Sequence, residues 1–389
     1  MNWLIKASLI IIPFYEIILF SLPSSSPNMI NTRVGKELVF LYLIISISIF
    51  GLFNGIKKIN NKFIYLFMGA LLLNHHFMPK VFVDSSPFSS PWFYESALVL
   101  VFSFLFFLTI ASSTFKVKEV FNIISWVGFI MALYGLGQFF GLDQFYTLKP
   151  KEVISITEAP NVAGNLGQPT ILASFLAMCI PIQLCLRKHW FGFITFLVIC
   201  LCQAKMAIFA SIAGVLVYYI YRSDNRIYWF KVAFCTFLAI VCGYMGYSHF
   251  KPNKLLVNNG RYGIWKEILI DIKDGRVLPI EKDYSLTGYG LGSFKFFNPK
   301  LHEGNWDKAH NEYLQVFYEL GLIGIILLIL AIFSIYDSSY FVFMNTHYGA
   351  VGALTVTILC AVYYFQWHLP AHSLYSLIIL GILYKGEEK

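Results

Sequence analysis

Ala309-His310-Asn311-Glu312-Tyr313-Leu314-Gln315-Val316-Phe317-Tyr318-Glu319-Leu320-Gly321-Leu322-Ile323-Gly324, running into the apolar stretch 325–333, decides how the rest of the chain is read. A hydrocarbon core of about 30 Å needs roughly 20 helical residues, and a span over 311–336 meets that need. The span opens on polar residues. At about 100° per residue, Asn311, Gln315 and Glu319, spaced by four, form a polar stripe. Gly321 and Gly324 fall within about 40° of the His310 face and offer a flat strip on which another helix can approach. A polar stripe entering a membrane is costly and usually functional. His310 reads either as a group that ends the helix at headgroup level or as a chemical group at the outer membrane boundary. Glu319 reads first as a partner for a neighbouring helix.

The composition agrees with a membrane setting. Of 389 residues, 58% are hydrophobic and 13% charged, with a mean hydropathy of +0.66. Soluble domains carry about 25% charge, so this chain cannot cover a soluble globule with polar surface. A cytosolic enzyme, a disordered chain and a fibrous repeat are excluded on that ground. The seven cysteines (179, 185, 200, 202, 235, 242 and 360) lie in apolar runs without a CxxC spacing, which predicts small buried hydrophobes rather than a zinc site or disulfide framework. The net charge of +8 is spread over short loops and is no nucleic-acid signal.

The same ruler, moved along the chain, marks about twelve spans: 3–22, 38–55, 63–79, 94–112, 120–141, 170–186, 190–204, 206–221, 229–248, 311–336, 340–364 and 369–384. The expected architecture is an all-α polytopic membrane protein, 1–389 forming a single integral membrane domain. The first span lacks a small-residue cleavage pattern and reads as a retained helix. With the N-terminus placed in the cytoplasm, thirteen of the 29 basic residues fall in inside segments and six in short outside ones. The remaining ten lie in one long loop, a weak reporter of orientation. Both termini are therefore expected to be cytoplasmic. The extracytoplasmic loop then covers 249–310, between spans nine and ten.

That loop concentrates polarity. Asn259-Gly260-Arg261-Tyr262-Gly263-Ile264-Trp265 leads into a segment with Ile264, Trp265, Ile268, Leu269 and Ile272 on one face and Lys266, Glu267, Asp271 and Lys273 on the other. This predicts a short amphipathic helix lying on the outer membrane surface. Arg261 at its N-terminal end is either a snorkelling interfacial residue or a grip for an anion such as a phosphate. Lys205, at the outer end of a helical hairpin, is either a membrane anchor or a second phosphate contact. The glycines of 288–292 follow no strand of a βαβ unit, which argues against a dinucleotide site. They predict a tight turn or a close approach of backbone to a ligand. His368 and His372 flank Pro370 and read first as packed residues, second as lining the same cavity. There is no Walker-type phosphate loop, no carboxylate cluster suited to a divalent metal and no GxSxG elbow, so no metal and no cofactor are expected.

These pieces together resemble a known family. His310-Asn311, nine residues, then Gly321-Leu322-Ile323-Gly324 is similar to the H-[NSQ]-x9-G-x-x-[GTY] pattern of O-antigen ligases. Gly260-Arg261 with Trp265, the glycines of 288–292 with Phe294, and Gly164-Asn165-Leu166-Gly167-Gln168-Pro169 before the sixth span fit the wider O-antigen ligase/polymerase superfamily. Where many members carry a Ser-Arg pair, this chain has Ala204-Lys205, and Thr170 stands where Asn is common. The resemblance implies a GT-C-like membrane glycosyltransferase of the bacterial inner membrane, its active site facing the periplasm. Such an enzyme moves a glycan from an undecaprenyl-pyrophosphate carrier to an acceptor hydroxyl. The acceptor is a lipid A–core, a lipid-linked glycan or a protein side chain, for ligase, polymerase or protein O-oligosaccharyltransferase respectively. The resemblance carries the catalytic role to His310 and the pyrophosphate contacts to Arg261 and Lys205, with Asn311, Gln315, Glu319, Gly321 and Gly324 in support. The competing class, a lipid-linked glycan transporter, would place ionisable groups near the midplane with repeat symmetry between halves. The sequence puts its charge at one surface instead.

Overall fold

The computed structural model describes residues 2–20, 29–56, 62–76, 97–142, 162, 164–166, 168–223, 264–266, 268–270, 286–291, 293–294, 308–342, 347–364 and 366–384. Among them are eleven α-helices and no strand: α1 Asn2–Phe20, α2 Met29–Asn54, α3 Lys62–His76, α4 Ala97–Ser112, α5 Val117–Phe139, α6 Pro169–Cys185, α7 His189–Leu201, α8 Lys205–Arg222, α9 Glu312–Val342, α10 Tyr348–Ala361 and α11 Pro370–Tyr384. Each coincides with one of the twelve expected segments. The other segment, 229–248, lies outside the described residues. The divide after the tenth segment shifts, because α9 continues to Val342 and α10 begins only at Tyr348. By length and composition, α5, α8 and residues Glu312–Ser334 of α9 can each cross a membrane, and the remaining apolar stretches are 10–17 residues long.

Burial inverts the pattern of a soluble bundle. Leu322, Ile323, Ile326, Ile329, Leu330 and Phe333 are exposed along one face of α9, while Leu320, Leu328 and Ala331 are buried on another. An apolar face left outward at helical spacing is a lipid-facing face. The chain is thus a membrane protein. α6 lies at the centre, with every residue from Leu172 to Gln183 buried. α8 and α10 reach it through small residues. A Cβ on Gly214 of α8 would stand 2.4 Å from Val356 Cγ2 and 2.7 Å from the Gly352 carbonyl, and one on Gly352 of α10 would stand 2.7 Å from Pro181 Cβ. Where lipid competes equally for apolar surface, close backbone approach through glycine is what lets such helices associate.

The two ends of the bundle differ in how they are tied. At one, Lys6 pairs with Glu119 at 2.5 Å. There too Lys188 Nζ donates to Asn122 Oδ1 at 2.6 Å and stands over the Trp126 and Phe191 rings. At the other, Gly164 N–H donates to Gln138 Oε1 at 2.7 Å, and the Tyr313 hydroxyl donates to the Ile358 carbonyl at 2.9 Å. The second end carries the residues singled out by sequence.

The expected surface helix differs in one respect. Residues 264–266 and 268–270 are helical, but Ile264 and Ile268 are buried against Tyr289, Phe294, Ala309 and Tyr318. That face is turned to protein rather than lipid, because the aromatic residues of the glycine-rich stretch and of α9 cover it. Leu269 alone of the described face residues is left exposed.

Overpacking a tight site costs about 1–3 kcal/mol. Gly214→Leu should therefore lower the thermal stability of the detergent-solubilised protein, read by size-exclusion melting. Gly137→Ala in α5, where nothing lies within 4 Å of the added Cβ, should leave it unchanged or raise it slightly, since alanine favours a helix by about 1 kcal/mol over glycine.

Candidate functional site

The site is built around the start of α9. Asn311 caps that helix: its Oδ1 accepts from the Tyr313 and Leu314 amides, both at 3.0 Å. Two amides of the first turn, which have no partner inside a helix, are satisfied this way. His310 precedes the cap with φ +52°. Among the described residues, the other non-glycine positions with positive φ, Arg187 and Gln203, sit where α6 and α7 end, a common place for left-handed backbone. His310 instead opens a helix. Its neighbour Ala309 is buried and held from both sides. The Ala309 amide donates to Gln315 Oε1 at 3.4 Å, and its carbonyl accepts from Trp265 Nε1 at 2.9 Å. Trp265 in turn meets Tyr363 edge-on at 5.5 Å. Backbone strain of order 1–3 kcal/mol persists only where the surroundings impose it, and here a cap on one side and two hydrogen bonds on the other do so.

About two and a half turns into the helix, α9 breaks. Gly321 has φ 65° and ψ −163°, outside helical space. The expectation of Gly321 and Gly324 as one helical strip for a neighbouring helix is corrected here, because angular spacing does not carry across the break. A loop lies against Gly321: its added Cβ would fall 2.5 Å from the Gly288 amide nitrogen and the Leu286 carbonyl. The helix groups freed by the break bond to that loop. Tyr289 N–H donates to the Tyr318 carbonyl at 2.9 Å, Gly290 N–H to the Glu319 carbonyl at 3.0 Å, and Ile323 N–H to the Leu286 carbonyl at 3.1 Å. The backbone of 288–290 lies against α9, whereas the sequence reading points to a ligand or a tight turn. At Gly324 the added Cβ would meet Leu320 Cβ at 2.2 Å, on the near side of the same break.

The polar stripe survives on the first segment of α9. Asn311, Glu312, Gln315 and Glu319 are all buried, and Gln315 Nε2 donates to Glu319 Oε1 at 3.1 Å. Glu312, Gln315 and Glu319 line a cavity of about 330 Å³ bounded by α2, α3, α4, α9, α10 and α11. His368 lines it too. Its Nδ1 lies 3.1 Å from Glu312 Oε1, which also accepts the Trp367 amide at 2.8 Å. His372 takes the packed role: fully buried, with Nε2 2.9 Å from Ser174 Oγ.

The sequence assigns Glu312 no role of its own. An acid in a helix's first turn is already explained by the helix dipole, and its partner His368 is 56 residues away. Lys205 begins α8, exposed, just past the hairpin turn at Cys202–Ala204. It is not among the cavity's lining residues. Arg261 lies outside the described residues. The nearest described residues after it, Ile264 and Trp265, are packed beside Ala309.

Residues 190–329 match the family described as O-antigen ligase. They run from the start of α7 to the middle of α9, so the matched stretch contains Lys205, Arg261, His310 and Gly321. The resemblance to the O-antigen ligase superfamily is thereby shown. The activity it supports is of the ligase or polymerase type, with lipid-linked glycans and their acceptors as substrates in general. No curated protein matches the chain.

Replacing an N-cap Asn by Ala typically costs about 1 kcal/mol. Asn311→Ala should lower thermal stability by about that much, whereas Asn311→Asp, which keeps the accepting oxygen, should stay near wild type. Gly321→Ala meets both a left-handed φ and the Leu286 carbonyl. It should destabilise more than Asn311→Ala in the same melting assay.

Proposed function

We propose that the chain transfers a glycan from an undecaprenyl-pyrophosphate carrier to an acceptor hydroxyl at the outer face of the bacterial inner membrane, in the manner of an O-antigen ligase. One observation carries the reading: the His310 backbone is held in a left-handed conformation by a capped helix and a doubly bonded Ala309, inside the stretch that matches the O-antigen ligase family. A histidine whose backbone is fixed in this way at the head of a membrane helix suits a positioned base.

The chemistry follows from the bonds exchanged. The acceptor oxygen loses its proton to His310 and attacks the anomeric carbon from the side opposite the leaving group. The bond from that carbon to the pyrophosphate oxygen breaks, and the electron pair leaves with the carrier lipid. Configuration inverts. The departing oxygens gain negative charge, and positive groups aimed at them lower the barrier. Arg261 and Lys205 are the residues we assign to that task. Arg261 offers a fork that grips two phosphate oxygens, and Lys205 a point charge. Trp265, four residues beyond Arg261, donates to the carbonyl next to His310, which supports a shared site. The leaving group is already activated, so neither nucleotide nor metal is called for. Both termini lie in the cytoplasm and the 249–310 loop outside it in this reading.

General-base assistance contributes about 10²–10⁴-fold. The purified His310→Ala variant, with wild-type elution and melting, should lose transfer from an undecaprenyl-pyrophosphate glycan by that factor in the presence of chelator. Near wild-type transfer would remove His310 from the mechanism. Offering lipid A–core and lipid-linked repeat units separately assigns the product: a glycan-capped core for a ligase, long lipid-linked chains for a polymerase.

A further inference from the structure

Another cavity lies at the end of the bundle away from His310. Its volume is about 530 Å³, and it sits where α1 begins and α2 and α4 end, lined by Asn2 and Trp3, by residues 50–51 and 54–56, and by 109 and 112–114. α2 and α4 run in the same direction. The Ser48 hydroxyl donates to the Phe102 carbonyl at 3.1 Å, and one turn further along a Cβ on Gly51 would collide with the Thr109 side chain. Both helices therefore bring their C-terminal ends to this cavity. The last carbonyls of a helix lack partners within it, and that end carries negative partial charge.

The side chains there add acceptors. The hydroxyls of Thr109, Ser112 and Ser113 donate to the carbonyls of Leu105, Leu108 and Ile110 at 2.8, 2.8 and 2.7 Å. Each has spent its one hydrogen on its own chain, and its oxygen keeps a lone pair to offer. Asn54 Nδ2 likewise donates to the Phe50 carbonyl at 2.7 Å, which leaves Asn54 Oδ1 as an acceptor. Such a set suits a positively charged group made only of donors, a primary ammonium with three N–H groups. The rim has a different character. Trp3, Leu52 and Phe53 are exposed, an apolar fringe of the kind that sits at headgroup level at the end of a membrane helix. Exposed Lys116 stands two residues after Thr114, and the carboxylate of the turn that follows, Glu119, already pairs with Lys6. Lys57 and Lys58 follow Ile56 in the sequence and lie outside the described residues. Basic residues beside a membrane surface attract phosphate.

We propose that this cavity binds the headgroup of an aminophospholipid of the surrounding bilayer, its ammonium among the ends of α2 and α4, its phosphate toward Lys116 and its acyl chains beside Trp3 and Phe53. The two signs of a zwitterionic head are matched in order, acceptors inside and cations at the rim. A quaternary ammonium has no N–H to give these acceptors, and a phosphoglycerol head brings no positive charge to the helix ends. The bound lipid joins the start of α1 to the ends of α2 and α4, away from the His310 turn. The binding rests on the membrane setting of the chain and not on the transferase reading.

The test uses the full chain in phosphatidylcholine nanodiscs with three phospholipid probes of equal chain length, each carrying the same photoactivatable group near its glycerol and differing only in an ethanolamine, choline or glycerol headgroup. The ethanolamine probe should label residues 2–3, 50–56 or 109–114 several-fold more than the other two, the advantage that charge-assisted hydrogen bonds confer. Asn54→Lys places an ammonium of the chain itself among the same acceptors, and a lysine suits the end of a helix. This variant should cut ethanolamine labelling to the level of the choline probe. Ser112→Lys, at the end of α4, gives the same readout should Asn54→Lys not fold. Equal labelling by the three probes, or ethanolamine labelling unchanged in a folded lysine variant, overturns the proposal. Displacement of the probe by dissolved phosphoethanolamine at the same total concentration also overturns it, since the ligand is then a soluble amine and not a lipid.

Discussion

The contact between Gly288 and Gly321 governs the end of the bundle that carries His310. A Cβ on Gly288 would lie 2.4 Å from the Glu319 carbonyl, and one on Gly321 would lie 2.5 Å from the Gly288 nitrogen. Both residues have positive φ, +71° and +65°, so both need glycine for conformation as well as for space. In a membrane helix an opened ladder is expensive, since no water replaces the lost partners. The loop at 286–290 replaces them, and three backbone hydrogen bonds close the gap. The joint fixes the loop to α9, and with it Tyr289 and Phe294, whose rings pack on Tyr318. Those rings cover Ile264 and Ile268, which seat Trp265 beside Ala309. The backbone that presents His310 is thus held by a chain of contacts that begins at two glycines.

The placement of helices was legible from sequence because hydropathy reads directly the burial of chain in lipid. Eleven of the twelve segments marked by apolar length coincide with helices. What happens inside a segment was less legible. Counting 100° per residue assumes an unbroken helix, and Gly321 breaks it, so the strip of Gly321 and Gly324 does not exist as drawn. The amphipathic pattern of 264–273 gave a correct apolar face but not its neighbour, because an alternation of apolar and polar residues does not say whether lipid or protein lies opposite. Asn311, Gln315 and Glu319 were read correctly as a stripe, since they precede the break. Glu312 was not, because its meaning depends on His368, which only the packing of α11 against α9 brings near.

Polar side chains at the head of a membrane bundle carry a cost that only partners reduce. Here the partners are nested. Asn311 satisfies amides, Gln315 bridges Ala309 and Glu319, and Glu312 ties the turn before α11 to the start of α9. Removing one leaves the others partly unsatisfied in a low-dielectric setting, so their effects are not expected to add. The stripe does two jobs at once: its backbone-facing atoms hold the His310 turn, and its carboxyl groups line the cavity.

This division bears on how one membrane site can hold two lipids. A donor whose leaving group is a diphosphate needs cations, and an acceptor whose nucleophile is a hydroxyl needs hydrogen-bond acceptors and a base. If both sets of groups lined one cleft they would pair with each other and neutralise the field that either substrate requires. In this chain Glu312 and Glu319 line the cavity between α3, α4 and α9–α11, buried Lys308 stands four residues before Glu312, and Lys205 stands exposed at the start of α8, outside that cavity. His310 belongs to the turn that precedes Glu312 and follows the Trp265-bound carbonyl, so its backbone is shared by both neighbourhoods. In the proposed transfer, His310 at that boundary is the base that takes the proton of the acceptor hydroxyl.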